Sequence, residues 1–591
     1  METLKVILFG YGLDSFWGSV YQFSLGFRII GILGGITLFA YFGFPIWVWT
    51  LGFIVIAWLF SFSDIVWVIG VPILLVFSIP YLRQYLVSQW VMTLLIKLKF
   101  LPKISQTEKV AIESGNVWMD AELFSGNPNF KRILSQPYTE LTPDEQNFLA
   151  GPVEEVCKMV NDWDVHQNRD FSVKVWDYLK SQKFFGMIIP KTYGGLGFSA
   201  LGNSAVIQKL SSRCSPLGIT VMVPNSLGPA ELLIHYGTKD QKEYYLPRLA
   251  DGREIPCFGL TEPMAGSDAG AISSYGVVFE GPDKTPWVRL NWKKRYITLA
   301  SISTVIGLAF KLKDPNNILG KVKDLGITCA LIPSKTEGVE LGKRHDPLGV
   351  PFVNCPFEGK DVEVPISCVI GGIEGVGKGW KMLMECLAAG RGIPLPANCT
   401  GGAKLVSRVM SSYVAVRKQF GMPVGKFEGI EEPLATTVAY TYILDAARRY
   451  TCGGIDSGAK PAVISAILKY HSTEIFRKII NHGMDVLAGA AISLGPKNML
   501  GHAYFAAPIG ITVEGANILT RTLIIFGQGA IRCHPYVLDE IHAIENKDII
   551  KFDRSFWGHV GHVVEVCVDK RTARKGPLVR KGNLLPYCCI M

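Results

Sequence analysis

At 591 residues the chain is long enough for several domains with large buried cores. It is 49% hydrophobic and only 19% charged, with a mean hydropathy of +0.25, which is unusually apolar for a protein soluble throughout. Much of the formal net charge of +10 sits beside an apolar N-terminal run and in the last residues, which argues against nucleic acid as a partner. The thirteen cysteines form no CxxC pair and no histidine group has metal spacing, a pattern that suits a reducing compartment and argues against structural zinc.

Residues 29–82 carry a single charged side chain, Asp64. A membrane helix takes about 20 apolar residues, so the run has room for two crossings, interrupted by Gly43 and Pro45 and by "SFSD" (61–64). Lys5 and Arg28 lie before it, and Arg83, Lys97, Lys99 and Lys103 after it; basic flanks on both sides predict both ends in the cytoplasm. Glu2, and the lack of a short apolar core before a small-residue cleavage site, argue against a signal peptide. Residues 1–103 are therefore expected to form a membrane anchor of about two transmembrane helices, for which a buried helical hairpin is the alternative. Residues 104–140 read as a polar linker.

The stretch "LTPDEQNF" opens a helical domain over 141–256: Thr142 suits the cap, Pro143 the first turn, and Asp144 and Glu145 the dipole. Short β-branched and aromatic runs such as "YGVVFE", "WVRLNW" and "GITCALIP" then predict an antiparallel β domain over 257–370. Helical periodicity returns over 371–545 in "GWKMLMECLAAG" and "AKLVSRVMSSYVAVRKQF". Residues 546–591 are basic and expected to be disordered. The chain ends Cys-Cys-Ile-Met, so Cys588 heads a prenylation-type box behind a polybasic stretch; a chance basic end is the favoured alternative.

Four stretches carry chemistry. "CFGLTEPMAGSDAG" (257–270) offers small residues for close backbone approach to a ligand, with Thr261, Ser267 and Asp268 as polar handles. "KRYITLA" (294–300) sets Tyr296 and Thr298 two apart, on one strand face. "GVGKGWKMLMECLAAGRG" (375–392) lacks the Ser or Thr of a phosphate loop, and "RKQFGMPVGKFEG" (417–429) is a helix end stopped by Gly421 and Pro423. In "ITVEGANILTR" (511–521), Glu514 is the only acid between Asp485 and Asp539, among apolar and small neighbours. It reads either as a turn residue or as a base held away from water.

Taken in order, these segments resemble the acyl-CoA dehydrogenase family over roughly 140–545, and with the apolar N-terminus they are most similar to its long membrane-associated bacterial members. After the transmembrane segment read from the apolar run, the resemblance implies an α-helical domain, an antiparallel β domain and a C-terminal four-helix bundle, in a multidomain α+β chain. FAD would lie between the β domain and the bundle. Thr261 and Thr298 would contact the flavin, with Tyr296 packed on it; Arg417 would meet the FAD pyrophosphate, usually of a neighbouring subunit, and Phe420 and Gly489 would complete that site. Ser267 would line the acyl-CoA site and Arg391 would approach the CoA portion.

Glu514 falls where most members carry the catalytic base, although Ala516 replaces the usual threonine after Glu-Gly, and "LAGAAISLG" (487–495) matches the family's glycine-rich stretch weakly. Some relatives place the base just before the bundle arginine, a position held here by Gly390. The implied reaction is α,β-desaturation of a fatty acyl-CoA to the trans-2-enoyl-CoA, the first step of fatty-acid β-oxidation. Electrons would pass to electron-transferring flavoprotein or a similar acceptor, in a homo-oligomer on the bacterial inner membrane with the catalytic part in the cytoplasm. An acyl-CoA oxidase and a non-catalytic membrane-tethered scaffold are the alternatives.

Overall fold

Thr142 and Glu145 close a capping box on the helix Pro143–Phe148: the Thr142 hydroxyl accepts from the Glu145 amide (3.3 Å), and Glu145 Oε2 accepts from the Thr142 amide (2.8 Å). The other oxygen of Glu145 accepts from the Ser199 amide (2.7 Å), so one buried carboxylate ties together two helix starts. Ser199 itself caps Ala200–Arg213. Thr238 and Gln241 form a second box on Lys239–Ala250.

The computed structural model describes residues 46–59, 66–98, 106–125, 128–136, 138–226, 228–320 and 323–573. The chain divides into two units, one made of residues 104–124 and 128–533 and the other of residues 1–103, 125–127 and 534–591.

In the larger unit, helices up to Ala250 lead into seven strands: β1 (Pro256–Gly259), β2 (Tyr275–Glu280), β3 (Pro286–Thr298), β4 (Val305–Lys313), β5 (Asp324–Pro333), β6 (Val339–Leu341) and β7 (Asn354–Pro365). The sheet order is β1-β4-β2-β3-β7-β6, with β5 on the other edge of β4. It is mixed rather than purely antiparallel. β1 and β2 both pair parallel with β4, one after the other along the same edge, because the long segment between β1 and β2 lets the chain re-enter in the same sense. In β3 the residues Val288, Leu290, Trp292 and Lys294 are buried in alternation, and a bulge then moves the buried position to Ile297. The outward set after the bulge is Tyr296 and Thr298, with Tyr296 at φ +60°.

Four long helices follow: Gly379–Gly392, Pro394–Val416, Glu428–Asp456 and Ala462–Leu487. Val406, Met410, Phe476 and Ile479 bury their apolar faces in a core shared with Leu179 and Leu210 of the preceding helices. A two-strand hairpin, β8 (Lys418–Gln419) and β9 (Met422–Pro423), projects between the second and third long helices. Phe420 (φ +52°) and Gly421 (φ +81°) occupy its two-residue turn, the backbone such tight hairpins require.

The expected linker 104–140 is ordered structure wherever it is described. It holds the helices Gln106–Glu113, Asp120–Phe124 and Phe130–Leu134, and Trp118 stacks on Tyr450 at 5.2 Å. Aromatic and apolar residues scattered among its polar ones supply that packing.

In the smaller unit, Ile46–Leu59 is an apolar helix, and Trp67–Ser78 and Pro80–Lys97 are helical stretches bent by 97°. The bend follows from Pro80, which forces Ile79 into an extended conformation (φ −95°, ψ 109°). Among the described residues no single helix is long and apolar enough to cross a membrane, although this bent pair passes on length and composition. Residues 29–45 of the apolar run lie outside the described residues. The tail differs from expectation: Ile549–Ala573 is one helix, held through Asp553, which accepts from Arg83 Nε (2.9 Å) and Nη2 (2.7 Å) and from Ser88 (2.6 Å). Phe552 and Met92 are buried in one apolar cluster beside it. The basic residues that suggested disorder lie from Lys570 onward, whereas 549–563 carries the buried faces. Residues 574–591, including Cys588, lie outside the described residues.

Candidate active site

Glu514 sits in a bend at φ +56°, followed by Gly515 at +90°. A non-glycine residue in that region is strained and persists only where its surroundings impose it. Two cations do so, a half-buried arginine and a fully buried lysine. Arg391 Nε donates to the Glu514 carbonyl (2.7 Å), and Lys469 Nζ donates to the Gly515 carbonyl (2.8 Å). The Thr520 hydroxyl also donates to the Gly515 carbonyl (3.1 Å).

The residue as a whole is half-buried, but its carboxylate oxygen Oε2 is sealed from solvent and has no hydrogen-bond partner. Burial pushes the Glu514 pKa up, and the charges of Arg391 and Lys469 offset only part of that. The carboxylate lies against Gly390: a Cβ built there would stand 2.6 Å from Oε1 and 3.0 Å from Oε2. The alternative base position and Glu514 therefore share one space.

A second group forms on the outer face of the sheet. The Arg295 amide donates to the Thr261 carbonyl (3.1 Å), which sets Thr261 beside Tyr296, and Asn354 Nδ2 donates to the Thr298 hydroxyl (3.3 Å). Tyr296 is 58% exposed. A presented aromatic ring with two threonines beside it suits one face of a planar, polar-edged heterocycle such as a flavin.

The loop after Thr261 is anchored by a buried ion pair. Glu262 accepts from Lys294 Nζ (2.7 Å), from the Ser273 amide and hydroxyl, and from the Ser274 amide and hydroxyl. The two charged side chains are 1% and 0% exposed. Burial pushes the Glu262 carboxyl up, but Lys294 and the serine donors outweigh it and hold it below the usual carboxylate range. Burial also pulls the Lys294 ammonium down, only partly opposed by Glu262.

Ser267 is exposed in this loop. Arg391, expected at the CoA portion, is half-buried and committed through Nε to the Glu514 loop. Arg417 is exposed at the base of the β8–β9 hairpin and Phe420 is 91% exposed at its tip. Gly489 is exposed at the start of the short helix Gly489–Ile492, and a Cβ there would meet nothing within 4 Å. The structure thus groups Glu514, Arg391 and Gly390 in one place and Thr261, Tyr296 and Thr298 in another.

Lys469, Glu262 and Lys294 were not singled out in the sequence. Lys294 stands at an inward position of the β3 alternation, and Lys469 is on the inner helix face with Ser465, Ser472, Thr473 and Phe476; a charge on a buried face was the available signal. Metal spacing was absent from the sequence, yet Asp162, His166 and His502 bring ligand atoms within 4.8 Å. The two rings stack 3.4 Å apart at 8°, so their lone pairs run alongside each other rather than converging on an ion.

Comparison with known proteins agrees with this layout. Family models for acyl-CoA dehydrogenases match the N-terminal domain at 148–253, the middle domain at 257–362, the C-terminal domain at 377–526 and a bacterial-type C-terminal domain at 531–572. The chain is 31% identical over 335 residues to the 3-(aryl)acrylate reductase of Clostridium sporogenes, covering 55% of this chain and 82% of that one. This chain belongs to the acyl-CoA dehydrogenase family. It is also 28% identical over 405 residues to the human mitochondrial very long-chain specific acyl-CoA dehydrogenase, covering 67% of this chain but only 60% of that enzyme. Among solved structures, butyryl-CoA dehydrogenase from Megasphaera elsdenii shares the fold, with a TM-score of 0.58 and 23% identity over 66% of this chain and 98% of that one. As an acyl-CoA dehydrogenase family member the protein is an FAD-dependent oxidoreductase acting on CH–CH bonds.

Proposed function

We propose that the protein desaturates fatty acyl-CoA thioesters at Cα–Cβ, the opening reaction of fatty-acid β-oxidation, and that Glu514 is the base. The observation that carries this reading is the sealed, unpartnered Oε2 of Glu514, whose pKa burial raises. A carboxylate without hydrogen-bond partners is poorly solvated and so more basic, which suits removal of a weakly acidic α-proton. Gly515, with no side chain, lets the thioester approach the backbone beside it. Bound FAD supplies the acceptor for the hydride from Cβ, chemistry that no side chain provides. Thr261, Tyr296 and Thr298 would hold the flavin, and the exposed Arg417 with its planar fork would hold the pyrophosphate. Exposure of Arg417 and Phe420 supports their serving a second copy of the chain, and Ser267 and Gly489 would border the acyl-CoA and FAD sites.

Electron-transferring flavoprotein is the acceptor we propose. The family fixes the chemistry but not its direction in use: relatives named as reductases favour a second reading in which a 2-enoyl group is reduced and Glu514 returns the proton. We also infer attachment to the bacterial inner membrane, with the catalytic unit in the cytoplasm. The apolar run 29–82 with basic flanks supports this, as do Trp47, Val68, Ile69, Tyr81, Leu86 and Trp90, all large and exposed.

The test is the visible spectrum of the purified protein before and after anaerobic addition of a long-chain acyl-CoA. Bleaching by the saturated thioester supports the dehydrogenase. Reoxidation of a reduced sample by the enoyl thioester alone favours the reductase, and rapid reoxidation by air favours an oxidase. A colourless protein favours the scaffold.

A further inference from the structure

The loop that carries Glu514 is built around a cation. Lys469, on the helix Ala462–Leu487, is 0% exposed, and its ammonium has three acceptors: the Asn517 Oδ1 (2.6 Å), the Gly515 carbonyl (2.8 Å) and the Ile511 carbonyl (3.4 Å). An ammonium carries three donors and a neutral amine only two, so the acceptor set matches the charged form. The acceptors lie before and after Glu514 in the chain, and the cation therefore spans the base. Asn517 is held in turn, because its Nδ2 donates to Glu474 Oε1 (2.7 Å) and to the Thr473 hydroxyl (2.9 Å), one turn along the same helix.

We propose that Lys469 is a positioning residue for catalysis: its buried ammonium clamps residues 511–517 so that Glu514 holds its left-handed backbone and keeps its carboxylate against Gly390. The inference rests on Glu514 being the base. It deepens that reading, since Arg391 fastens one carbonyl of the loop and Lys469 fastens both flanks.

Two consequences distinguish a clamp from a merely packed lysine. Its positive charge favours the ionised form of Glu514, so removing it raises the pH at which the base becomes active. The clamp also weakens when the ammonium is discharged. Burial pulls Lys469 down to about 8, in a site it shares with Cys399, Glu514, Arg391 and Glu474.

The experiment compares the parent holoenzyme with Lys469→Gln and Lys469→Arg. Hydrogen–deuterium exchange of peptides covering 509–520 is read by mass spectrometry, and flavin reduction by acyl-CoA is followed in single turnover across pH. Lys469→Gln is expected to speed exchange at 509–520 at least ~10-fold while peptides of the β domain stay unchanged. It should retain flavin, slow reduction ~10-fold or more, and move the acid limb of the pH profile up by about one unit. Lys469→Arg should restore the acid limb, because charge is kept. Unchanged exchange at 509–520 in Lys469→Gln overturns the clamp, whatever the enzyme oxidises. An unmoved acid limb with reduction within twofold of the parent overturns it also. Failure of the parent itself to bleach with acyl-CoA speaks against the dehydrogenase reading and leaves the exchange result to decide the clamp. If Lys469→Gln does not fold, Asn517→Ala removes the shortest acceptor together with the Nδ2 bonds to Glu474 and Thr473, and Glu474→Ala, which breaks one of those bonds without touching the ammonium, is its control. Exchange at 509–520 faster than in the control supports the clamp, and exchange no faster than in the control overturns it.

Discussion

The carboxylate of Glu514 fills the space that a side chain at Gly390 would need, with Oε1 2.6 Å from the Cβ that any other residue would place there. Contacts under 3.0 Å between carbon and oxygen are repulsive, so one of the two must move. Gly390→Ala is therefore expected to push Glu514 off its position while the helix Gly379–Gly392 survives, since alanine is the better helix former. The variant should keep its flavin and lose ~100-fold or more in flavin reduction, the scale of a misplaced general base. Reduction at the parental rate would show that the carboxylate works from elsewhere.

Glu514→Gln removes the base with little change of shape and is expected to retain flavin while losing ~100-fold or more in rate. In the parent, proton abstraction requires the ionised form, so activity falls as pH drops through the Glu514 pKa. Burial raises that pKa above the ordinary glutamate value. The acid limb should accordingly lie higher than a solvent-exposed glutamate would give. A limb at the ordinary carboxylate pKa would place the base in water.

Glu262 and Lys294 test the anchoring of the loop after Thr261. Breaking a buried pair leaves one uncompensated charge, at a cost of about 3–5 kcal/mol. Glu262→Gln is thus expected to lower the unfolding free energy, the product of the chemical-unfolding midpoint and its slope, by that much, and the double change Glu262→Gln with Lys294→Met to recover part of it. The sign of the pH effect follows from the carboxyl: its folded pKa is depressed, so its contribution is present above the unfolded carboxylate pKa and is lost as pH falls toward the folded one. Equal midpoints for parent and single variant would remove the pair from any account of stability.

How much of this was legible in the sequence depends on whether the signal was local. The cap at Thr142 is a matter of adjacent residues, and it is present; Glu145, read only as a charge complementing the dipole, also closes the box. The hairpin turn at Phe420–Gly421 is local as well, though the sequence suggested only a helix stop. The parallel pairing of β1 and β2 with β4 depends on where distant segments meet, which residue texture does not encode. The same holds for the Glu514 site. Its apolar neighbours suggested a buried base, but Lys469 lies 45 residues earlier and Arg391 more than 120 earlier, and only the packed bundle brings them to the loop. The helices of 106–125 and 128–136 are not legible in the sequence because their apolar contacts, such as Trp118 on Tyr450, lie more than 300 residues away in the chain.

Arg417 is exposed beside a hairpin whose tip residue, Phe420, is almost entirely in solvent. Arg417→Ala removes a fork suited to phosphate from a position where it supports no buried structure. The flavin-to-protein absorbance ratio should fall, and added FAD should restore it in a concentration-dependent way. Purification with parental flavin content would assign the hairpin another task.

Asp553 takes the Arg83 guanidinium in a two-point fork and the Ser88 hydroxyl besides, while the Trp557 indole donates to the same hydroxyl (3.0 Å). The side chains of Arg83 and Asp553 are 12% and 3% exposed, so the pair is buried enough for its loss to matter. Asp553→Asn leaves the arginine without its counter-charge, at a cost of about 3–5 kcal/mol. It is expected to loosen the helix Ile549–Ala573 from the segment 80–97. Protease cleavage within 534–573 should then appear under conditions where the parent is intact. Flavin reduction should remain within about twofold, because Glu514 and the residues that hold it belong to the other unit. Deleting 574–591 is expected to change neither cleavage nor reduction, since among the described residues Phe552, Asp553 and Trp557 hold the helix. Cleavage at the parental rate in Asp553→Asn would show that apolar packing by Phe552 and Met92 is enough to hold the helix. A farnesyl group on Cys588, or release from a eukaryotic membrane on deleting 574–591, would give the last residues a role of their own.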